Sequence, residues 1–105
     1  MICISITHKN LTAAKRECFA CNDEEQIKLA GAVAKAYPEA GLFLLMTCNR
    51  SEIYMSGTDT DFVWLEQQFA DTKKFPVEAL KGAAMRYEGK SCLTHLCRVV
   101  CGLDS

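Results

Sequence analysis

The chain has 105 residues, enough for one core and too few for a separate nucleotide-binding domain beside it. Half of its residues are apolar, about a quarter are charged and the formal net charge is -1, which is ordinary for a soluble globular domain and leaves any nucleic-acid contact to a local patch. Seven cysteines are an odd number and the short apolar start, Met1 to Ile6, has no basic flank. The chain therefore reads as a cytoplasmic protein with reduced thiols, and no run approaches the roughly 20 apolar residues of a membrane span.

Ile2, Ile4 and Ile6 alternate with Cys3, Ser5 and Thr7, a period-two strand with one strongly apolar face. Asn10 to Cys21 is mixed and allows a short helix. Asp23 followed by Gln26 has the spacing of a capping box, and Ile27, Ala30, Val33, Ala34 and Tyr37 then recur at helical spacing until Pro38 and Gly41. Leu42 to Met46 is a continuous apolar run of strand length, expected as a buried central strand. Ser51 to Ser56 alternates again, with Ile53 and Met55 on one side and Glu52, Tyr54 and Ser56 on the other.

The short connection between these two runs predicts an antiparallel hairpin with Cys48 near its tip. Phe62, Leu65 and Phe69, with Trp64 and Gln68, predict a helix from about Thr60, and Val77 to Lys81 a single helical turn. Ala83 to Glu88 reads as a fourth strand closed by Gly89. Ser91 is then placed to cap a last helix whose inward side is Leu93, Leu96, Val100 and Leu103. The order βα(α)ββαβα predicts an α+β ferredoxin-like two-layer sandwich, a four-stranded antiparallel sheet with helices on one face.

Cys48 follows the last residue of an apolar run, in a turn where Asn49 tolerates left-handed backbone angles. Arg50, two residues on, favours the thiolate, the nucleophilic form of a thiol. Arg50 is either a solvated loop charge or a bidentate grip on a carboxylate, and Glu52 is expected to pair with it. His95 on the last helix reads by itself as a helix-surface or core-edge histidine, and His8 as a loop cap or a neighbour of the site.

The octet Thr47-Cys48-Asn49-Arg50-Ser51-Glu52-Ile53-Tyr54 resembles the signature of the glutamyl-tRNA reductases, which open the tRNA-dependent route to tetrapyrroles. Thr7-His8-Lys9 resembles that family's opening, and the stretch from His95 to Ser105 resembles the end of its catalytic domain. The resemblance implies that residues 1–105 are an N-terminal catalytic domain, with sequence continuing past Ser105 into NADPH-binding and dimerisation domains. It implies glutamyl-tRNA(Glu) as substrate and a homodimer formed through the C-terminal domain.

By this resemblance Cys48 attacks the ester carbonyl that joins glutamate to the terminal ribose and forms a thioester, which NADPH bound elsewhere reduces to glutamate-1-semialdehyde. Arg50 would recognise the substrate carboxylate. Thr47 and Asn49 would hydrogen-bond the substrate, or Asn49 would serve only the turn. His95 would take the thiol proton or support the leaving ribose oxygen.

None of the six glycines forms a G-x-G-x-x-G element after a strand, so no residue here is assigned to a dinucleotide. Cys18-Phe19-Ala20-Cys21 has zinc-like spacing without a second pair, and Cys92, Cys97 and Cys101 share one predicted helix; no metal is expected from either pattern. The alternative function is a non-catalytic ferredoxin-like module for RNA or protein. It is disfavoured because neither Ala83 to Glu88 nor Ser51 to Ser56 carries the exposed aromatics of a basic, glycine-containing RNA-reading strand.

Overall fold

The computed structural model describes residues 1–7, 11–57 and 61–102. The elements are β1 (Ile2–Thr7), α1 (Ala13–Phe19), α2 (Asp23–Ala36), β2 (Gly41–Met46), β3 (Arg50–Ser56), α3 (Phe62–Lys73), a 3-10 turn (Val77–Leu80), β4 (Ala84–Glu88) and α4 (Gly89–Val100). The strands form one antiparallel sheet in the order β2-β3-β1-β4. This is the ferredoxin-like α+β sandwich expected, including the fourth strand, which pairs with β1 from Ile2 opposite Glu88 to Ile6 opposite Ala84.

Alternation along β1 and β3 separates the sheet into two chemically different faces. Ile2, Ile4, Ile6, Ile53 and Met55 point to one side, where Leu29 and Val33 of α2 and Leu65 and Phe69 of α3 complete an apolar core. Burying such side chains stabilises the fold by about 1.5–3 kcal/mol each. The cross-strand pairs Cys3 with Tyr54, Ser5 with Glu52 and Thr7 with Arg50 occupy the opposite face.

The helices differ here from the expected one-sided cover. α2 and α3 pack on the apolar face, whereas α4 lies on the polar one, where Cys92 and Leu96 pack against Cys3 and Tyr54. The physical reason is that buried charged groups need partners, and α4 brings His95 to Glu52.

Four local expectations shift for similar reasons. The cap of α2 is Asn22 rather than Asp23: Asn22 accepts from the Glu25 N–H at 2.8 Å while the Glu25 side chain accepts from the Asn22 N–H at 2.9 Å. The inward residues of α2 are accordingly Leu29 and Val33, and Ile27 is 73% exposed. β2 is an edge strand, not a central one. It is apolar on both sides because Leu42, Leu44 and Met46 meet the main core while Leu45 packs with Cys3 and Tyr54. α4 begins at Gly89, two residues before Ser91, and turns Cys92 and His95 inward, leaving Leu93 and Val100 exposed. Leu103, like the expected helix start at Thr60, lies outside the described residues.

Candidate active site

The β2–β3 connection is only Thr47, Cys48 and Asn49, all exposed. The Thr47 N–H donates to the Arg50 carbonyl at 2.9 Å, and Thr47 Oγ1 accepts from the backbone N–H groups of Asn49 and Arg50, each at 3.2 Å. The turn is thus closed by a threonine hydroxyl, which substitutes for a backbone turn bond. Among the described non-glycine residues a positive φ occurs only at Lys74, so Asn49 does not take the left-handed conformation expected of it. Cys48 is held at the tip by this closure, on the solvent side of the hairpin.

Directly after the tip the strand goes under α4, and the character of the side chains changes from exposed to buried. Arg50 is 6% exposed, so it is not a solvated loop charge, and its Nη1 donates to Glu52 Oε2 at 3.1 Å. Glu52 is completely buried and is the centre of the site. Its Oε2 also accepts from Ser5 Oγ and lies 2.6 Å from Nε2 of His95, while its Oε1 accepts from the Tyr54 hydroxyl at 2.6 Å.

Burial alone would push the Glu52 carboxyl up, but hydrogen bonds from His95, Ser5 and Tyr54 hold it below the ordinary carboxylate range. The same carboxylate, after burial, raises the Tyr54 hydroxyl, which stays a donor. An ionised carboxylate only accepts, so the proton on the His95–Glu52 contact belongs to His95 Nε2.

His95 is 6% exposed, an inward helix residue rather than a surface one. Its ring stacks on Tyr87 of β4 with centroids 4.0 Å apart and planes 11° from parallel. Its position is therefore set from two sides, by Glu52 below and by the tyrosine beside it. An open groove of about 470 Å³ runs along α4 past His95, between Lys90, Ser91 and Arg98; Cys48 is not among its lining residues.

Of the residues singled out in the sequence, Arg50, Glu52 and His95 come together in one buried cluster, and Thr47, Cys48 and Asn49 form the exposed turn that leads into it. His8 lies outside the described residues. Cys18 is exposed while Cys21 is buried in the main core, with its thiol pushed up to about 11 by burial; Cys92 is buried while Cys97 and Cys101 are exposed. Neither of those cysteine groups presents a common ligand set. Sequence reasoning did not assign Ser5 and Tyr54 to the site, although alternation places both on the strand faces opposite the isoleucines, and that polarity was the available signal.

The ferredoxin-like sandwich thus carries a solvent-facing thiol on the tip of its β2–β3 hairpin, and the strand that leaves this tip contributes Arg50 and Glu52 to a buried cluster with His95. The comparisons with known proteins agree on one family. The profile described as "Glutamyl-tRNAGlu reductase, N-terminal domain" matches residues 4–105, and the chain belongs to that family.

Glutamyl-tRNA reductase of Histophilus somni (strain 129Pt) is 32% identical over 112 residues, covering 100% of this chain and 26% of that protein. The Pseudomonas aeruginosa glutamyl-tRNA reductase is 29% identical over 108 residues, covering 99% of this chain and 25% of that protein. The solved structure of glutamyl-tRNA reductase from Methanopyrus kandleri superposes with a TM-score of 0.66 at 25% identity, covering 99% of this chain and 23% of that one. The chain thus spans about a quarter of the length of the relatives it matches. No helix among its described residues is long and apolar enough to cross a membrane.

Proposed function

We propose that this chain is the substrate-activating portion of a glutamyl-tRNA reductase and that Cys48 is its nucleophile. The observation that carries the reading is the exposed cysteine on a turn closed by the Thr47 hydroxyl and continued directly into the buried Arg50–Glu52–His95 cluster. The Cys48 thiolate attacks the ester carbonyl of glutamyl-tRNA(Glu). The C–O bond to the terminal ribose breaks, the ribose oxygen takes a proton as tRNA leaves, and glutamate remains on Cys48 as a thioester.

Arg50 presents a planar fork suited to the substrate's side-chain carboxylate. Glu52 is a positioning residue, fixing both the guanidinium and the imidazole. Thr47 and Asn49 flank the reacting carbon and bind substrate. His95 handles the proton, either the one Cys48 gives up or the one the ribose oxygen takes; Glu52 holds its Nε2 protonated, which selects the tautomer that does so.

Reduction of the thioester by NADPH to glutamate-1-semialdehyde, the entry to tetrapyrroles, is proposed for the full-length enzyme. The six glycines at 31, 41, 57, 82, 89 and 102 are dispersed and do not fit a phosphate-cradling G-x-G-x-x-G turn, so no residue of this chain is assigned to the dinucleotide. Dimerisation is likewise proposed for the full-length protein, outside these residues. The odd count of seven cysteines supports a reducing, cytoplasmic setting.

Single-turnover deacylation of radiolabelled glutamyl-tRNA tests the reading. The chain releases tRNA faster than buffer does and Cys48→Ser abolishes the difference. Unchanged release by Cys48→Ser would remove the thiol from the mechanism.

A further inference from the structure

Cys3, Glu52 and His95 converge beneath α4, and one donor atom of each lies within 4.8 Å of the others. They belong to β1, β3 and α4, three elements far apart in sequence, and all three side chains are buried. A thiol, a carboxylate and an imidazole are the donor types of zinc, whereas magnesium and calcium take oxygen alone. Zinc-to-ligand distances of about 2.0–2.3 Å put tetrahedral ligands roughly 3.3–3.8 Å apart. Side-chain shifts of about 1 Å therefore convert the present cluster into a coordination shell, with the 2.6 Å Glu52–His95 contact opening and Cys3 closing in. A second thiol, Cys92, packs in the same small cluster as Cys3 and sits one helical turn before His95. His95 also lines the open groove along α4, so one of the three residues borders solvent-accessible space.

We propose that Cys3, Glu52 and His95 form a binding site for a zinc-type divalent transition-metal ion, with Cys92 or water as the fourth ligand. Binding releases the Cys3 proton to solvent, and the His95 ring proton moves from Nε2 to Nδ1 so that the neutral imidazole offers the Nε2 lone pair to the metal. Glu52 then neutralises the ion instead of Arg50, so metal-bound and catalytically arranged states exclude each other. That last consequence rests on the function proposed above; the binding itself does not.

The probe is Co2+, added to wild-type chain whose exposed thiols, Cys18, Cys48, Cys97 and Cys101, have first been alkylated under native conditions. The expected result is one Co2+ per chain with a thiolate-to-cobalt charge-transfer band in the near ultraviolet, displaced by one equivalent of Zn2+. The band is lost in Cys3→Ser and retained in Cys48→Ser. X-ray absorption of the wild-type zinc complex covers the case in which Cys3→Ser does not fold: one or two sulfur ligands completed by nitrogen and oxygen are expected. Loss of the band on alkylation, its persistence in folded Cys3→Ser, or a shell of three or four sulfurs or of none would each overturn the site. Because the readout is spectroscopic, it is independent of whether Cys48 forms a thioester.

Discussion

The Glu52 carboxylate and the His95 imidazole meet at 2.6 Å across the interface between the sheet and α4. Through this contact the last helix is tied to the central strand that begins at the thiol turn. The same oxygen holds Arg50 at 3.1 Å, so one buried anion orders two site cations or donors at once. Breaking a buried pair by removing one partner costs about 3–5 kcal/mol, because the other is left uncompensated. Glu52→Gln is expected to lower stability by about that amount in urea unfolding. A loss under about 1 kcal/mol would mean that the cluster is not what anchors α4.

Acid should undo the same cluster. The folded-state Glu52 carboxyl lies below its unfolded value of about 4.3, so the unfolded state binds the proton more readily. The resulting stability is fully present above that unfolded value and is lost as pH falls through the folded one. Thermal unfolding followed from pH 7 to pH 2 should show an acid limb that is shallower in Glu52→Gln. Parallel limbs would assign the acid sensitivity to other carboxylates, such as Glu25, which burial alone would raise but bonds from Asn22 and Lys73 hold low.

At the hairpin tip the Thr47 hydroxyl accepts two backbone N–H groups. Thr47→Val keeps the shape and removes the acceptor, at about 1 kcal/mol for each bond lost, whereas Thr47→Ser keeps the oxygen. Release of tRNA in the single-turnover assay should fall several-fold in Thr47→Val and recover in Thr47→Ser. Equal activity of all three would leave the turn closure without a role in presenting Cys48.

The cap of α2 gives an independent check on the fold. Asn22→Ala should cost about 1 kcal/mol, the usual loss of a side-chain cap, while Asp23→Ala costs only the few tenths of a first-turn acidic group. Chemical denaturation of the two variants decides between the positions, and a larger loss at Asp23 would restore the capping box read from Asp23 and Gln26.

Much of this fold is legible in the sequence because its strands alternate cleanly. Ile2, Ile4 and Ile6 against Cys3 and Ser5, and Ile53 and Met55 against Glu52 and Tyr54, state two faces by alternation alone. What alternation does not state is which helix covers which face. In α4 Leu93 and Val100 suggest an apolar inward side, whereas the surface it meets carries Glu52 and Tyr54 and turns His95 and Cys92 inward with Leu96. Leu42 to Met46 looked central because it is apolar on both sides, and an edge strand between two clusters looks the same. The thiol turn is legible from its octet, and the expected pairing of Glu52 with Arg50 is present. The contributions of Ser5 and Tyr54 depend on register, which a single sequence leaves open.

The central claim is a covalent bond between substrate and Cys48, and intact-protein mass spectrometry after rapid acid quench of the chain with glutamyl-tRNA(Glu) tests it most directly. A glutamyl adduct, mapped by peptide digestion to Cys48, abolished by Cys48→Ser and cleaved by hydroxylamine as a thioester must be, is the predicted result. An adduct that persists in Cys48→Ser, or that maps to Cys18, Cys97 or Cys101, would contradict the account.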